Sequence, residues 1–289
     1  KVYYRDDIDT SDKRKKFIQA LRAQTYDMFI QLPDDLAGFR TLVRNMIFAK
    51  MIGARHAFGF TVRTIQIFKK TQVDFTEQEA EVQSLLGLLK RHGIKADKIE
   101  FDFPVTADEK IRVMSLLEKA KVKKNDVVVL ISPGGKREGN RWPISHFQKI
   151  AEYLSVTYKA KVIVVGGSDD ASRAQIILQN TRGGISAAGQ LSFLGTFELL
   201  KYCSFLISNS TGTIHLAAAA GIPTIGLYTI RDVPGRWFPF GNAHTILYHK
   251  FLNCNYKSEE CIKQGIGMIS VDEVIEACRD VIKKLGFDK

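Results

Sequence analysis

Two runs in this chain, Val127-Val128-Val129-Leu130-Ile131 and Val162-Ile163-Val164-Val165, carry no polar side chain at any position. A strand with one wet face alternates apolar and polar residues, so a strand without a polar position must be covered on both faces. Parallel sheets flanked by helices meet that demand, and the rest of the chain supplies the helices. Strand patterns recur at Tyr26–Leu32, Ile99–Phe103, Asp126–Ser132, Lys161–Gly166, Ser204–Ser208, Pro223–Leu227 and Thr245–Tyr248. Helical patterns fall between and after them, at 36–52, 77–91, 107–121, 145–158, 169–180, 196–202, 213–220 and 271–285. This alternation predicts an α/β fold with parallel sheets. At 289 residues two domains are expected. The polar, Lys-rich segment Lys119–Asp126 marks the junction, giving domains at 1–122 and 123–270. Residues 250–270 lack clear periodicity. Ser270-x-x-Glu273 then reads as a capping box opening a C-terminal helix over 271–289, expected to pack back on the N-terminal domain.

Composition removes several classes of protein. Hydrophobic residues are 45% and charged residues 25%, as in ordinary globular chains, and 22 Gly with 7 Pro exclude a collagen-like or Pro-rich chain. The longest charge-free run, Phe205–Ile230, is interrupted by Ser208, Asn209, Ser210, His215 and Pro223 and fails as a membrane span. The opening Lys-Val-Tyr-Tyr-Arg-Asp-Asp has no apolar core of a signal peptide. A net charge of +11 suits a solvated surface or an anionic partner. No aromatic residues interleave with the basic ones as single-strand nucleic-acid platforms require, so no nucleic-acid partner is expected. Cys203, Cys254, Cys261 and Cys278 form no C-x-x-C pair and read as reduced thiols rather than a metal site.

Ligands of open parallel sheets bind beyond the carboxyl ends of the strands, and three segments occupy such positions. The first runs from Ser132 through Gly134, Gly135 and Lys136 to Arg141-Trp142-Pro143. Its glycines let backbone N–H groups approach an anion, and Lys136, Arg137 and Arg141 add charge. It lacks Walker A spacing. The second, Gly166-Gly167-Ser168-Asp169, lacks G-x-G-x-x-G, and Ser168 or Asp169 could serve simply as a helix cap. The third, Ser208-Asn209-Ser210-Thr211-Gly212-Thr213-Ile214-His215 followed by four alanines, ends a strand and opens a small-residue helix. Its first turn would offer free N–H groups and the positive end of a helix dipole to a phosphate, with His215 one turn in.

The pattern from Ser208 to Tyr228 resembles the donor-site signature of family 9 glycosyltransferases, the lipopolysaccharide heptosyltransferases. Pro133-Gly134 with Arg141-Trp142-Pro143, then Gly166-Gly167, then Gly235-Arg236-Trp237-x-Pro239-x-Gly241-x-x-His244 agree in order. Tyr26-Asp27 and Ile52-Gly53-Ala54-Arg55 with Gly59-Phe60 resemble the N-terminal domain less specifically. The resemblance implies a GT-B architecture of two Rossmann-like domains facing across a cleft. It also implies an inverting transfer of heptose from a nucleotide-sugar such as ADP-heptose to a phosphorylated glycolipid. The enzyme would be cytoplasmic, in peripheral contact with the inner membrane. The donor would meet Ser132, Gly134, Gly135, Lys136, Arg141, Gly166, Gly167, Ser210, Thr211, Gly212 and His215, and the acceptor Arg40 and Arg44. No cofactor and no metal are implied.

The chain departs from the family pattern in three places. Ser210 stands where the family usually has Asp, and Asn140 where it often has Lys. The opening strand and Gly-Asp loop, whose Asp is the family's proposed base, have no match, so the chain is expected to be a truncated form. Asp34 and Asp35 are the nearest substitutes as base. A non-catalytic nucleotide-sugar-binding protein is the alternative reading.

Overall fold

The computed structural model describes residues 8–31, 39–60, 79–91, 93–94, 99–230, 232, 234–249 and 259–287. The chain divides into two compact units, one of residues 1–70 with 87–94, the other of 71–86 with 95–289.

The first unit contains α1 (Ser11–Arg22), β1 (Met28–Ile30), α2 (Phe39–Met51) and β2 (His56–Phe58), with β1 and β2 paired in parallel. Thr10 caps α1 by accepting from the Lys13 N–H. Phe17, Phe29, Phe48 and Phe60 form its aromatic centre, with ring centroids 5.9–6.4 Å apart. Helix α3 (Glu81–Arg91) begins in the second unit and ends in the first.

The second unit continues with α4 (Ala107–Lys119), β3 (Val128–Ser132), α5 (Ile144–Thr157), β4 (Lys161–Val164), α6 (Ala171–Leu178) and β5 (Ile185–Ser186). It ends with α7 (Phe193–Leu200), β6 (Phe205–Asn209), α8 (Gly212–Ala219), β7 (Thr224–Tyr228), β8 (His244–Tyr248), α9 (Glu259–Gly267) and α10 (Val271–Lys284). Its sheet is parallel throughout in the order β5-β4-β3-β6-β7-β8. The chain runs outward from β3 to one edge, then returns to β6 and runs to the other. That is the doubly wound order, with its switch point between β3 and β6.

Both all-apolar runs lie at the centre of this sheet. On one face Val129, Ile131, Val162 and Val164 pack with α5, α6 and α10; on the other Val128, Leu130 and Ile163 pack with α4, α7 and α8. Burial of each such side chain contributes roughly 1.5–3 kcal/mol. The sheet thus explains why these strands tolerate no polar position.

Several expectations are corrected. Ile99–Phe103 is not a strand; Phe101 and Phe103 instead pack edge-on against Phe240 and Phe197, at 6.2 and 4.7 Å. Helix α9 lies inside the stretch without clear periodicity. Helix α4, on the N-terminal side of the expected junction, buries Val113, Leu116 and Leu117 in the second unit's core. The C-terminal helix opens with the expected capping box: Ser270 Oγ accepts from Glu273 N, and the Glu273 carboxylate accepts from Ser270 N at 2.7 Å. It buries Val274, Cys278 and Ile282 in this unit's own core. Cys203 and Cys278 are buried free thiols, but Cys261 is disulfide-bonded, so the reading of four reduced thiols does not hold.

Candidate functional site

The switch point is built around Asn209, the last residue of β6 and fully buried. A polar side chain at the end of a strand covered on both faces has to find partners inside the protein. Asn209 Nδ2 donates to the carbonyls of Pro133 (2.8 Å) and Gly134 (3.0 Å), and its Oδ1 accepts from the Trp142 N–H (3.1 Å). One side chain therefore ties both ends of the loop after β3 to the end of β6. Trp142 is buried beneath this loop, and its indole N–H donates to the Ile269 carbonyl at 2.9 Å.

The two loops also meet through hydroxyls. Ser132 Oγ donates to Thr213 Oγ1 (3.2 Å), and Ser208 Oγ lies 3.2 Å from Thr211 Oγ1. Thr211 is the N-cap residue of α8, but its side chain makes no capping bond. The first turn of α8 also carries no acidic residue. Its leading N–H groups and the positive end of its dipole are thus left for something else. Gly226 lets this helix lie close to β7, since a Cβ there would stand 2.6 Å from Ile214 Cδ1 and from the Tyr228 ring.

Gly166-Gly167 joins the same neighbourhood through a residue that sequence reasoning missed. The carboxylate of Asp170, rather than Ser168 or Asp169, caps the turn after β4 by accepting from Gly167 N (3.1 Å), and it also pairs with Arg173 (3.0 Å). A Cβ on either Gly134 or Gly166 would stand 2.6 Å from Asp170 Oδ2. The two glycines are there because the carboxylate fills the space between their loops.

Arg141 Nε donates to the Gly135 carbonyl at 2.9 Å, which anchors the side chain along the loop. Lys136 is exposed at the loop tip and makes no ion pair among the described residues. His215, on α8, keeps exposed surface, while the protein packed around it and the nearby His244 lower its pKa. His244 Nε2 is 2.9 Å from the Phe240 carbonyl, which makes it the protonated nitrogen, so Nδ1 accepts from the Thr224 hydroxyl at 3.0 Å. Burial lowers the His244 pKa, and the bond to Phe240 opposes that shift.

The structure therefore brings Ser132, Gly134, Gly135, Arg141, Ser210, Thr211 and Gly212 to one switch point, with Gly166 and Gly167 joined to it through Asp170. Arg40 and Arg44 are exposed one turn apart on α2 of the first unit. Asp34 and Asp35 lie outside the described residues. Asn209 lies within the motif, and its signal is an amide side chain closing a strand whose every position is buried. Asp170, Arg173 and Thr213 carry no such local signal.

The family model for glycosyltransferase family 9 (heptosyltransferase) matches residues 14–266, most of the chain. The chain belongs to glycosyltransferase family 9. Among curated proteins of this kind, lipooligosaccharide heptosyltransferase 2 of Haemophilus influenzae is 26% identical over 227 residues, 74% of this chain and 63% of the relative. The chain thus spans under two thirds of that relative's length. Among solved structures, a family 9 glycosyltransferase from Veillonella parvula superposes with a TM-score of 0.75 at 18% identity, covering 97% of this chain and 80% of the other. The Escherichia coli ADP-heptose lipopolysaccharide heptosyltransferase II gives 0.65 at 17%, covering 95% and 82%. These likenesses show the fold: the α/β fold of GT-B type expected from the sequence is the fold of this family 9 chain. Among the described residues no helix is long and apolar enough to cross a membrane.

Proposed function

We propose that this family 9 chain is an inverting glycosyltransferase that moves heptose from a nucleotide-sugar donor of the ADP-heptose type to a phosphorylated lipopolysaccharide core. The observation that carries the reading is the uncapped N-terminus of α8 at the switch point, held against the loop after β3 by Asn209 and the Ser132–Thr213 bond. Transfer from a nucleotide-sugar releases a diphosphate, and negative charge grows on it as the glycosidic bond breaks. Preorganised N–H donors and a fixed guanidinium lower that barrier without reorganising during the step. The α8 N–H groups, Thr211, Thr213 and Arg141 take that part. Neutral His215 offers a hydrogen bond next to them, and Ser210 faces the sugar. Gly135 and Gly167 let the nucleotide approach the backbone, Gly134 and Gly166 make room for the Asp170 carboxylate that holds their two loops together, and Lys136 adds charge from the loop tip.

The acceptor belongs to the first unit in this reading. On α2, Phe39, Met46 and Ile47 are more than half exposed, and Arg40 and Arg44 flank them. An apolar stripe bordered by cations suits a glycolipid at an anionic membrane surface. We place the protein at the cytoplasmic face of the inner membrane on the strength of family membership, not of its cysteines.

Titration calorimetry with ADP, UDP and GDP tests the donor site, and binding of none of them by folded protein overturns it. Transfer from ADP-heptose to a deacylated core acceptor tests the reaction. Ser210, which cannot ionise at the position usually held by Asp, favours the second reading, a protein that binds nucleotide-sugar without transferring it. Binding without transfer would establish that alternative.

A further inference from the structure

The segment from Gly235 to His244 takes no part in the donor site as read above. It nevertheless belongs to the connection after β7, at the same carboxyl end of the sheet as the start of α8. It carries Trp237, one of the chain's 2 tryptophans. Trp142, the other, is buried, whereas Trp237 is 43% exposed. We propose, on the transferase reading above, that Trp237 is a stacking platform for a sugar ring, brought by the donor or by the acceptor.

Single exposed apolar residues are ordinary on protein surfaces. Trp237 differs because its backbone is fixed from both sides while its ring stays open. Before it, Gly235 makes a turn at φ +82°, which a side chain would resist. Arg236 is almost wholly buried, and its Nε donates to the Glu81 carboxylate at 2.7 Å. The Arg236 carbonyl accepts from the Glu81 N–H at 3.0 Å, so the contact is reciprocal. Burying an ion pair costs desolvation and adds little stability; what this one does is hold the loop. After it, Phe238 packs edge-on against buried Tyr228, with centroids 4.9 Å apart. The Tyr228 hydroxyl donates to the Trp237 carbonyl itself at 3.1 Å. Finally, the Arg236 guanidinium lies over the indole, 5.2 Å from its centroid, which limits how the ring can tilt.

The anchor of this ring is tied to the place given to the sugar. Tyr228 ends β7, and the carbonyl of Leu227 before it accepts from the Ser210 N–H at 3.1 Å. The loop closes on His244, which lies near His215. A sugar ring shows C–H groups on its faces and hydroxyls around its rim. The slightly positive C–H groups suit the negative face of an indole. For the hydroxyls the same loop carries Asp232, a carboxylate acceptor that also holds the Thr229 N–H at 3.3 Å.

Because Trp142 is buried, acrylamide quenching of the wild-type protein's fluorescence reads Trp237. ADP alone should leave that quenching unchanged, whereas ADP-heptose or a deacylated core acceptor should shield the ring. Shielding by ADP-heptose identifies the donor's sugar as the occupant, and shielding by the core acceptor alone identifies the acceptor's. Trp237→Ala should weaken binding of whichever sugar shields the ring by roughly threefold to tenfold. Trp237→Phe should restore most of that loss, with ADP affinity and melting temperature as in wild type for both variants. Shielding by ADP alone, or sugars that bind without shielding, would overturn the platform while the donor reading stands. So would an alanine variant that binds both sugars as wild type does. Shielding by the core acceptor in a wild type that binds no nucleotide would uphold the platform and overturn the donor reading. Wild type that binds neither would overturn both.

Discussion

The two parallel sheets of this chain treat similar residues differently. In the second unit every position of β3, β6 and β7 is buried. In the first, Met28 and Ile30 of β1 are 40% and 46% exposed on either side of half-buried Phe29. Apolar composition alone therefore does not settle burial; what settles it is whether a layer lies over each face. The second unit supplies both layers among its described residues. That is why its switch point can hold a buried asparagine and a set of aligned loops.

The comparison breaks most easily on matched substitutions. Leu130→Ala, at a fully buried site, should cost about 2–5 kcal/mol in equilibrium unfolding, whereas Ile30→Ala should cost well under half of that. Equal costs would mean that β1 is covered after all. Asn209→Ala strands two carbonyls and one N–H, and should cost about 2–3 kcal/mol while also abolishing nucleotide binding. Full affinity in that variant would show that the loops keep their alignment without the clamp.

The first unit is sharpened by its charges. Arg40→Ala with Arg44→Ala should weaken sedimentation with vesicles rich in acidic lipid by about 1 kcal/mol per charge removed, leaving ADP affinity unchanged. Acid should act on the second unit. Burial lowers the pKa of His146, His215 and His244, so the unfolded chain takes up these protons more readily than the folded one. Their stabilising contribution is complete above the unfolded value near 6.5 and shrinks as pH falls below it. Melting temperature should decline from pH 7 to pH 5, less steeply in His244→Gln. The smallest effect expected is none: if helix dipoles and cations meet the diphosphate as proposed, a chelator should leave ADP affinity as it was.

The parts legible in the sequence were those whose cause is local. The runs at 127–131 and 162–165 announced buried strands because their burial leaves no polar position, and Ser208–Ala220 announced α8 because hydroxyls, glycine and alanines follow one another. Helix α1 shows no clear apolar period, because Leu21 is its one buried residue and charged or polar residues fill most of the other positions. Strands β2 and β5 are three and two residues long, too short to show a period. The anchoring of Trp237 is illegible for another reason. Glu81, which pairs with its neighbour Arg236, is far away in sequence and meets it only in the folded chain.

The clamp at the switch point also bears on isotope exchange. The Trp142 amide is buried against Asn209 Oδ1, so it can meet deuterium only when the loop and β6 separate. The Gly212 and Thr213 amides, one strand end away, receive no capping bond from Thr211. In free protein the first should exchange on the slow timescale of opening the sheet and the other two quickly. A bound diphosphate would slow those two and leave Trp142 as it was. A donor's arrival could then be followed amide by amide, with no sugar transferred and no acceptor present.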